Sequence, residues 1–124
     1  MDKVTLTLPL PSRALNPNAR PNRYAKAGAV KVHRNNARRV AYLAMREWDY
    51  PAGFVVFQLD TVAYWKRDSV RRDDVNLLAS CKPYEDGIQD ALKQDDRTWS
   101  LGKPEHHIDP EDPRLEIIIH IQAM

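Results

Sequence analysis

A single cysteine, Cys81, stands in the whole chain, so no intrachain disulfide can form and no zinc site can be built from several thiolates. Its position on an apolar stripe predicts a small buried side chain in a reducing compartment, and the cytoplasm is the expected location. Long apolar runs are lacking as well. Residues 3–10 alternate instead of forming the apolar block of a leader peptide, and no stretch approaches the roughly 20 residues that cross a bilayer, so no membrane partner is expected. With only four glycines there is no glycine-rich phosphate loop. A His-Glu metalloprotease pattern, a serine nucleophile elbow and an internal repeat are missing too.

Acidic residues are the most unevenly missing component. Between residues 3 and 46 there are ten Lys or Arg residues and no Asp or Glu, while residues 47–124 carry sixteen of the seventeen acids. The formal net charge of +2 hides this split. Two readings of it stand: a polyanion held by the basic part while the acidic part performs metal-assisted chemistry, or a solvated basic loop and helix face. A length of 124 residues predicts one domain, 1–124, with a single core that dimerisation would enlarge.

Val4, Leu6, Leu8 and Leu10 share one side of a strand over residues 3–10 that Pro9 places at a sheet edge. Prolines, asparagines and Gly28 then punctuate a basic loop predicted over residues 11–32, which holds Arg20, Arg23, Tyr24, Lys26 and Lys31. It is read either as a substrate-gripping arm or as a mobile solvent loop. From His33 to Trp48 helical spacing turns Ala37, Val40, Ala41, Ala44 and Trp48 inward and Arg34, Arg38, Arg39 and Arg46 outward. Residues 54–65 predict the longest strand, with Val55, Phe57, Leu59, Ala63 and Trp65 forming one apolar face. Residues 99–108 suggest a short strand and a turn, where adjacent His106 and His107 are read as surface or structural side chains in preference to metal ligands. Leu115, Ile117, Ile119 and Ile121 complete a core strand. The order strand, helix, strand, helix, strand argues for a small α/β (α+β) domain with a mixed β-sheet and two helices packed on it.

Chemistry concentrates between Arg71 and Arg97. Leu77, Cys81, Tyr84, Ile88 and Leu92 form one stripe of a helix, while Lys82, Asp86 and Asp90 lie opposite, and Pro83 predicts a kink. Asp73 and Asp74 fall at the helix start, where carboxylates cap free amides and oppose the dipole. Asp95 and Asp96 follow its last apolar position, where carboxylates are disfavoured. Like charges gathered against repulsion suggest a shared hard cation such as magnesium.

The frame Arg72-Asp73-Asp74-Val75-Asn76-Leu77-Leu78, then Lys82-Pro83, Asp86-Gly87 and Asp95-Asp96, resembles the RusA-type endodeoxyribonucleases, the Holliday junction resolvases of phages and prophages. The opening strand followed by Pro11 and an Asn-containing basic loop is similar to that family's beginning. The resemblance implies a small α/β homodimer that cuts four-way DNA junctions in pairs with magnesium or manganese, in DNA recombination and repair within a bacterial cytoplasm. By position it implies Asp73, Asp74, Lys82 and Asp96 as catalytic residues, and Asp73, Asp74, Asp86, Asp95 and Asp96 as the carboxylates available to the metal. Asp86 is a ligand, a partner orienting Lys82, or a solvated residue. Arg20, Arg23, Lys26, Lys31, Arg34, Arg71 and Arg72 are the expected DNA contacts. Val75 departs from the family, which commonly has Asp directly before the Asn, so that ligand comes from Asp74 or is absent. The alternative is a non-catalytic branched-DNA-binding protein on the same scaffold.

Overall fold

Strict alternation in the last strand decides where the core lies. Leu115, Ile117, Ile119 and Ile121 are each at most 1% exposed, which puts one face of that strand wholly out of water. The computed structural model describes residues 2–20, 22–47, 53–68, 73–94 and 99–123. Its elements are β1 (Asp2–Leu8), α1 (Arg23–Glu47), β2 (Val55–Trp65), α2 (Asp74–Ser80), α3 (Lys82–Leu92), β3 (Ser100–Leu101), β4 (Glu105–Ile108) and β5 (Arg114–Gln122), with a 3-10 turn at Arg13–Leu15.

β5 sits between β1 and β2 and is antiparallel to both. β3 and β4 lie in succession along the other side of β2, each parallel to it. The result is the expected small α+β domain with a mixed sheet, which among the described residues has five strands with three helices. Val4, Leu6 and Leu8 from β1 join Ala37, Ala41, Leu77, Tyr84 and Ile88 from the helices in one cluster with β5. The opposite sheet face carries half-buried polar groups, including Asp60 Oδ2 at 2.6 Å from His120 Nε2. No helix among the described residues is long and apolar enough to cross a membrane.

Three local expectations are corrected. The basic loop over residues 11–32 ends at Asn22, because α1 begins at Arg23, ten residues before the expected helix start at His33. The Asn22 side chain accepts the N–H of Ala25 at 2.8 Å and so caps the first turn. Ala, Lys and Arg dominate the turns that follow and favour a helix strongly enough to absorb Gly28. In β2, Val56 is buried while Val55 and Phe57 are half exposed, the reverse of the expected face at that end. The pairing with β5 skips a residue between Val56 and Gln58, and this bulge shifts every inward side chain from even to odd positions. The kink expected at Pro83 is a full break at Cys81, so one helix becomes α2 and α3. Pro83 lacks the N–H that the Ala79 carbonyl would take.

Where α3 crosses α1, a Cβ on Gly87 would collide with the Arg34 carbonyl and would stand 2.9 Å from the Arg38 nitrogen. Hydrogen therefore sets the distance between the two helices. A bidentate ion pair, Arg34 Nε and Nη2 to the two Asp90 oxygens at 2.7 and 2.9 Å, closes beside it. Alanine normally stabilises a helix relative to glycine by about 1 kcal/mol. At Gly87 the sign reverses: Gly87→Ala is expected to lower stability by about 1–3 kcal/mol in urea melts, through overpacking. A stabilised variant would contradict this contact.

Candidate functional site

The head of α2 follows the long strand β2, and its two aspartates do different work. Asp73 has extended backbone, φ −124° and ψ 114°, and its Oδ1 accepts the Asn76 N–H at 3.0 Å, capping the helix. Asp74 turns to the sheet, where its Oδ1 lies 2.6 Å from His106 Nε2 on β4. The imidazole tautomer follows from Trp65 at the end of β2. An indole N–H can only donate, and it reaches His106 Nδ1 at 3.0 Å, so Nε2 carries the hydrogen given to Asp74. The Trp65–His106–Asp74 chain thereby joins the end of β2, the edge strand and the start of α2.

Each carboxylate spends one oxygen in this way. The second oxygen of each has no hydrogen-bond partner among the described residues. Asp73 opens on a cleft of about 460 Å³, with Trp65, Asn76 and Ser80 on one side and Ser12, Arg13, Asn16 and Asn18 facing them. The facing wall is held to α1 by the Ser12 N–H, which donates to His33 Nε2 at 2.9 Å. His33 stacks on Tyr84 at 4.8 Å, and the Tyr84 hydroxyl donates to the Pro9 carbonyl at 2.6 Å. Burial holds the His33 imidazole below its ordinary value and pushes the Tyr84 phenol up, so both keep the neutral forms these bonds require. Burial likewise pushes the Cys81 thiol up to about 12, in keeping with an inert packing residue.

The remaining expected site residues are spread out. Lys82 Nζ lies 3.2 Å from Asp86 Oδ1, the i to i+4 pairing that orients the lysine, and both sit on the outer side of α3. Arg34 is committed to Asp90, which holds that carboxyl below the usual range. Arg20, Arg23, Lys26 and Lys31 are exposed on the approach to α1 and its first turns, with the Arg23 guanidinium 5.0 Å from the Tyr24 ring centre. Val75 is 75% exposed. Arg71, Arg72, Asp95 and Asp96 lie outside the described residues. Among the described residues no group of three or more His, Cys, Asp or Glu side chains could hold a metal ion.

Sequence reasoning set His106 aside because two adjacent histidines cannot share a helix face. In a strand the same adjacency sends them to opposite faces: His107 stacks on Tyr64 at 5.3 Å, leaving His106 free to reach Asp74. The parallel register of Ala63 with His106, next to Trp65, is the signal that was needed, and only the sheet supplies it.

No family model matches the chain. A protein of Xylella fastidiosa described only as uncharacterized is 42% identical over 96 residues, covering 77% of this chain. The chain spans 61% of that relative's length.

His106→Ala should loosen the head of α2 and lower stability by roughly 1–2 kcal/mol, the range for a hydrogen bond to a charged group whose partner is left behind. Denaturant melts measure it, and an unchanged midpoint would contradict the tether. For His33 the folded value is lowered, so its contribution is complete above the ordinary value of 6.5 and is lost as pH falls through the folded value. The melting temperature should therefore drop between about pH 7 and about pH 5. His33→Gln, which keeps an acceptor but does not titrate, should flatten part of that fall, and an identical pH profile in the variant would refute the assignment.

Proposed function

We propose that this chain is a divalent-metal-dependent endodeoxyribonuclease that resolves branched DNA, acting as a homodimer in the manner of the RusA-type proteins it resembles. One juxtaposition carries the reading: Asp73, with an oxygen to spare, lines a cleft whose other wall presents Arg13, Asn16 and Asn18, and Asp74, its neighbour in the chain, also keeps one oxygen unbonded among the described residues. Two carboxylates with hard oxygen donors suit magnesium or manganese, because magnesium commonly takes one or two protein carboxylates and completes its shell with water and substrate phosphate. Asp95, Asp96 and Asp86 are the further oxygen donors of the proposal.

Each residue has a distinct task. Asp73 and Asp74 hold the ion, with Asp74 aimed by His106 and Asp73 kept in place by its capping bond. When bound, the ion supplies an acidified water and charge stabilisation at the scissile phosphate. Lys82, paired with Asp86 on the outer side of α3, is the ammonium of the proposal that would neutralise charge developing on the phosphate. Arg13, Arg20 and the basic residues in the first turns of α1 draw the polyanion in, without reading its sequence. Two sites related by a two-fold axis would cut the two strands of a junction, and an isologous dimer provides them. A phage or prophage gene expressed in a bacterial cytoplasm belongs to the same proposal.

A second reading has its own observation. Val75 points into solvent where the family commonly has Asp, which favours a DNA-binding protein that has lost its catalysis.

Nicking of a synthetic four-way junction, with and without magnesium, separates the two. Asp73→Asn is the decisive variant because asparagine also caps helices, so α2 stays formed while a charge is removed. Cleavage should fall by at least about a hundredfold with junction binding retained, as befits loss of a metal ligand. Turnover like that of the wild type would remove Asp73 from the mechanism. Magnesium-independent binding with no cutting by the wild type would favour the non-catalytic reading.

A further inference from the structure

A second groove lies between α1 and the C-terminal end of α3, and the site already described does not use it. Its volume is about 920 Å³, and its lining includes Arg38, Arg39, Tyr42 and Lys93. None of its lining residues is shared with the cleft at Asp73. At 100° per residue, Lys31, Asn35, Arg38, Arg39, Tyr42 and Arg46 fall within about 100° of one another on the outer side of α1. All six are exposed. Lys31, Arg38, Arg39, Arg46 and Lys93 make no ion pair among the described residues, while Asp90, the groove's acid, is already bound to Arg34. The groove thus carries an uncompensated positive charge, with the exposed Tyr42 ring in its lining and the Arg46 guanidinium 5.8 Å from that ring's centre.

We infer that this groove binds the sugar-phosphate backbone of a second DNA segment, an arm of the branched substrate other than the one entering the cleft. The inference rests on the proposed DNA substrate and adds a binding surface to it. Dimensions agree: from Lys31 to Arg46 the helix rises about 22 Å. That length matches roughly six phosphate steps along one strand of a duplex. The planar guanidinium groups of Arg38 and Arg39 suit phosphate oxygens, and Tyr42 offers a face to a sugar or an unpaired base. A second copy of the chain is a poorer occupant. An isologous contact through this face would bring two copies of the same positive surface together, like charge against like charge.

The test uses the full chain in EDTA, so that binding is read without cutting. Fluorescence anisotropy with a four-way junction and a linear duplex is followed across a salt series for three proteins: wild type, Arg38→Gln with Arg39→Gln, and Lys3→Gln with Lys103→Gln. The last pair removes equal charge at residues that line neither the groove nor the cleft. Losing two phosphate contacts should reduce the slope of log affinity against log salt by about 1.8. Junction affinity of the groove variant should fall at least about tenfold at low salt. The control pair should leave the slope within about half a unit. A slope unchanged in the groove variant, or reduced equally in the control, would overturn the inference. So would sedimentation showing that the groove variant alters the oligomeric state and not DNA binding, which would assign the face to a second copy. If circular dichroism shows the double variant unfolded, Arg39→Glu alone carries the test against the same expected loss. The nuclease reading is judged separately by magnesium-dependent nicking in the wild type: nicking with an unchanged slope leaves the enzyme and removes the groove, whereas a reduced slope without nicking does the opposite.

Discussion

Burial of one face of β5 is the constraint on which the rest of the molecule depends. Four branched side chains, each worth about 1.5–3 kcal/mol when fully buried, fix which face of the sheet must be covered by helices. Because strand pairing has a period of two, they also fix the registers of β1 and β2 on either side. A slip of one residue would expose the entire set. The bulge in β2 is the adjustment that lets both ends of that long strand obey the same face. Trp65 thereby comes to the end of β2 on the helix side, beside the edge strand that carries His106.

From that position the site follows by short steps. Trp65 selects the imidazole tautomer, the imidazole aims Asp74, and the capping bond of Asp73 starts the helix that both aspartates head. Gly87 and the Arg34–Asp90 pair hold α3 against α1. Beside that contact α1 displays exposed basic residues. One helix thus presents charge in two directions, toward the approach to the cleft and along the α1–α3 groove.

Much of this was legible in the residues themselves. Alternation in β1 and β5 is unambiguous because both strands bury one face only, and the stripe Leu77, Cys81, Tyr84, Ile88 survives the break at Cys81 because the break keeps the same side inward. The start of α1 was hidden by Gly28 and the run of prolines before it, whose turn chemistry outweighed the helix propensity of Ala, Lys and Arg. The bulge at Phe57 was invisible, since no glycine marks it and the apolar residues around it satisfy either parity. His106 gained its role from a neighbour across the sheet, which spacing along the chain cannot show. The paired aspartates were legible as a helix start, and the structure gives Asp73 the capping bond and Asp74 the first turn.

The proposed function requires a divalent ion at the head of α2. Manganese titrated into isotopically labelled protein, with amide resonances followed by NMR, tests it most directly, because paramagnetic broadening falls steeply with distance from the ion. Substoichiometric manganese should first broaden the amides of Asp73, Asp74 and Asn76 together with that of His106. Broadening centred elsewhere, or none in this group when other acidic surfaces broaden, would contradict the claim.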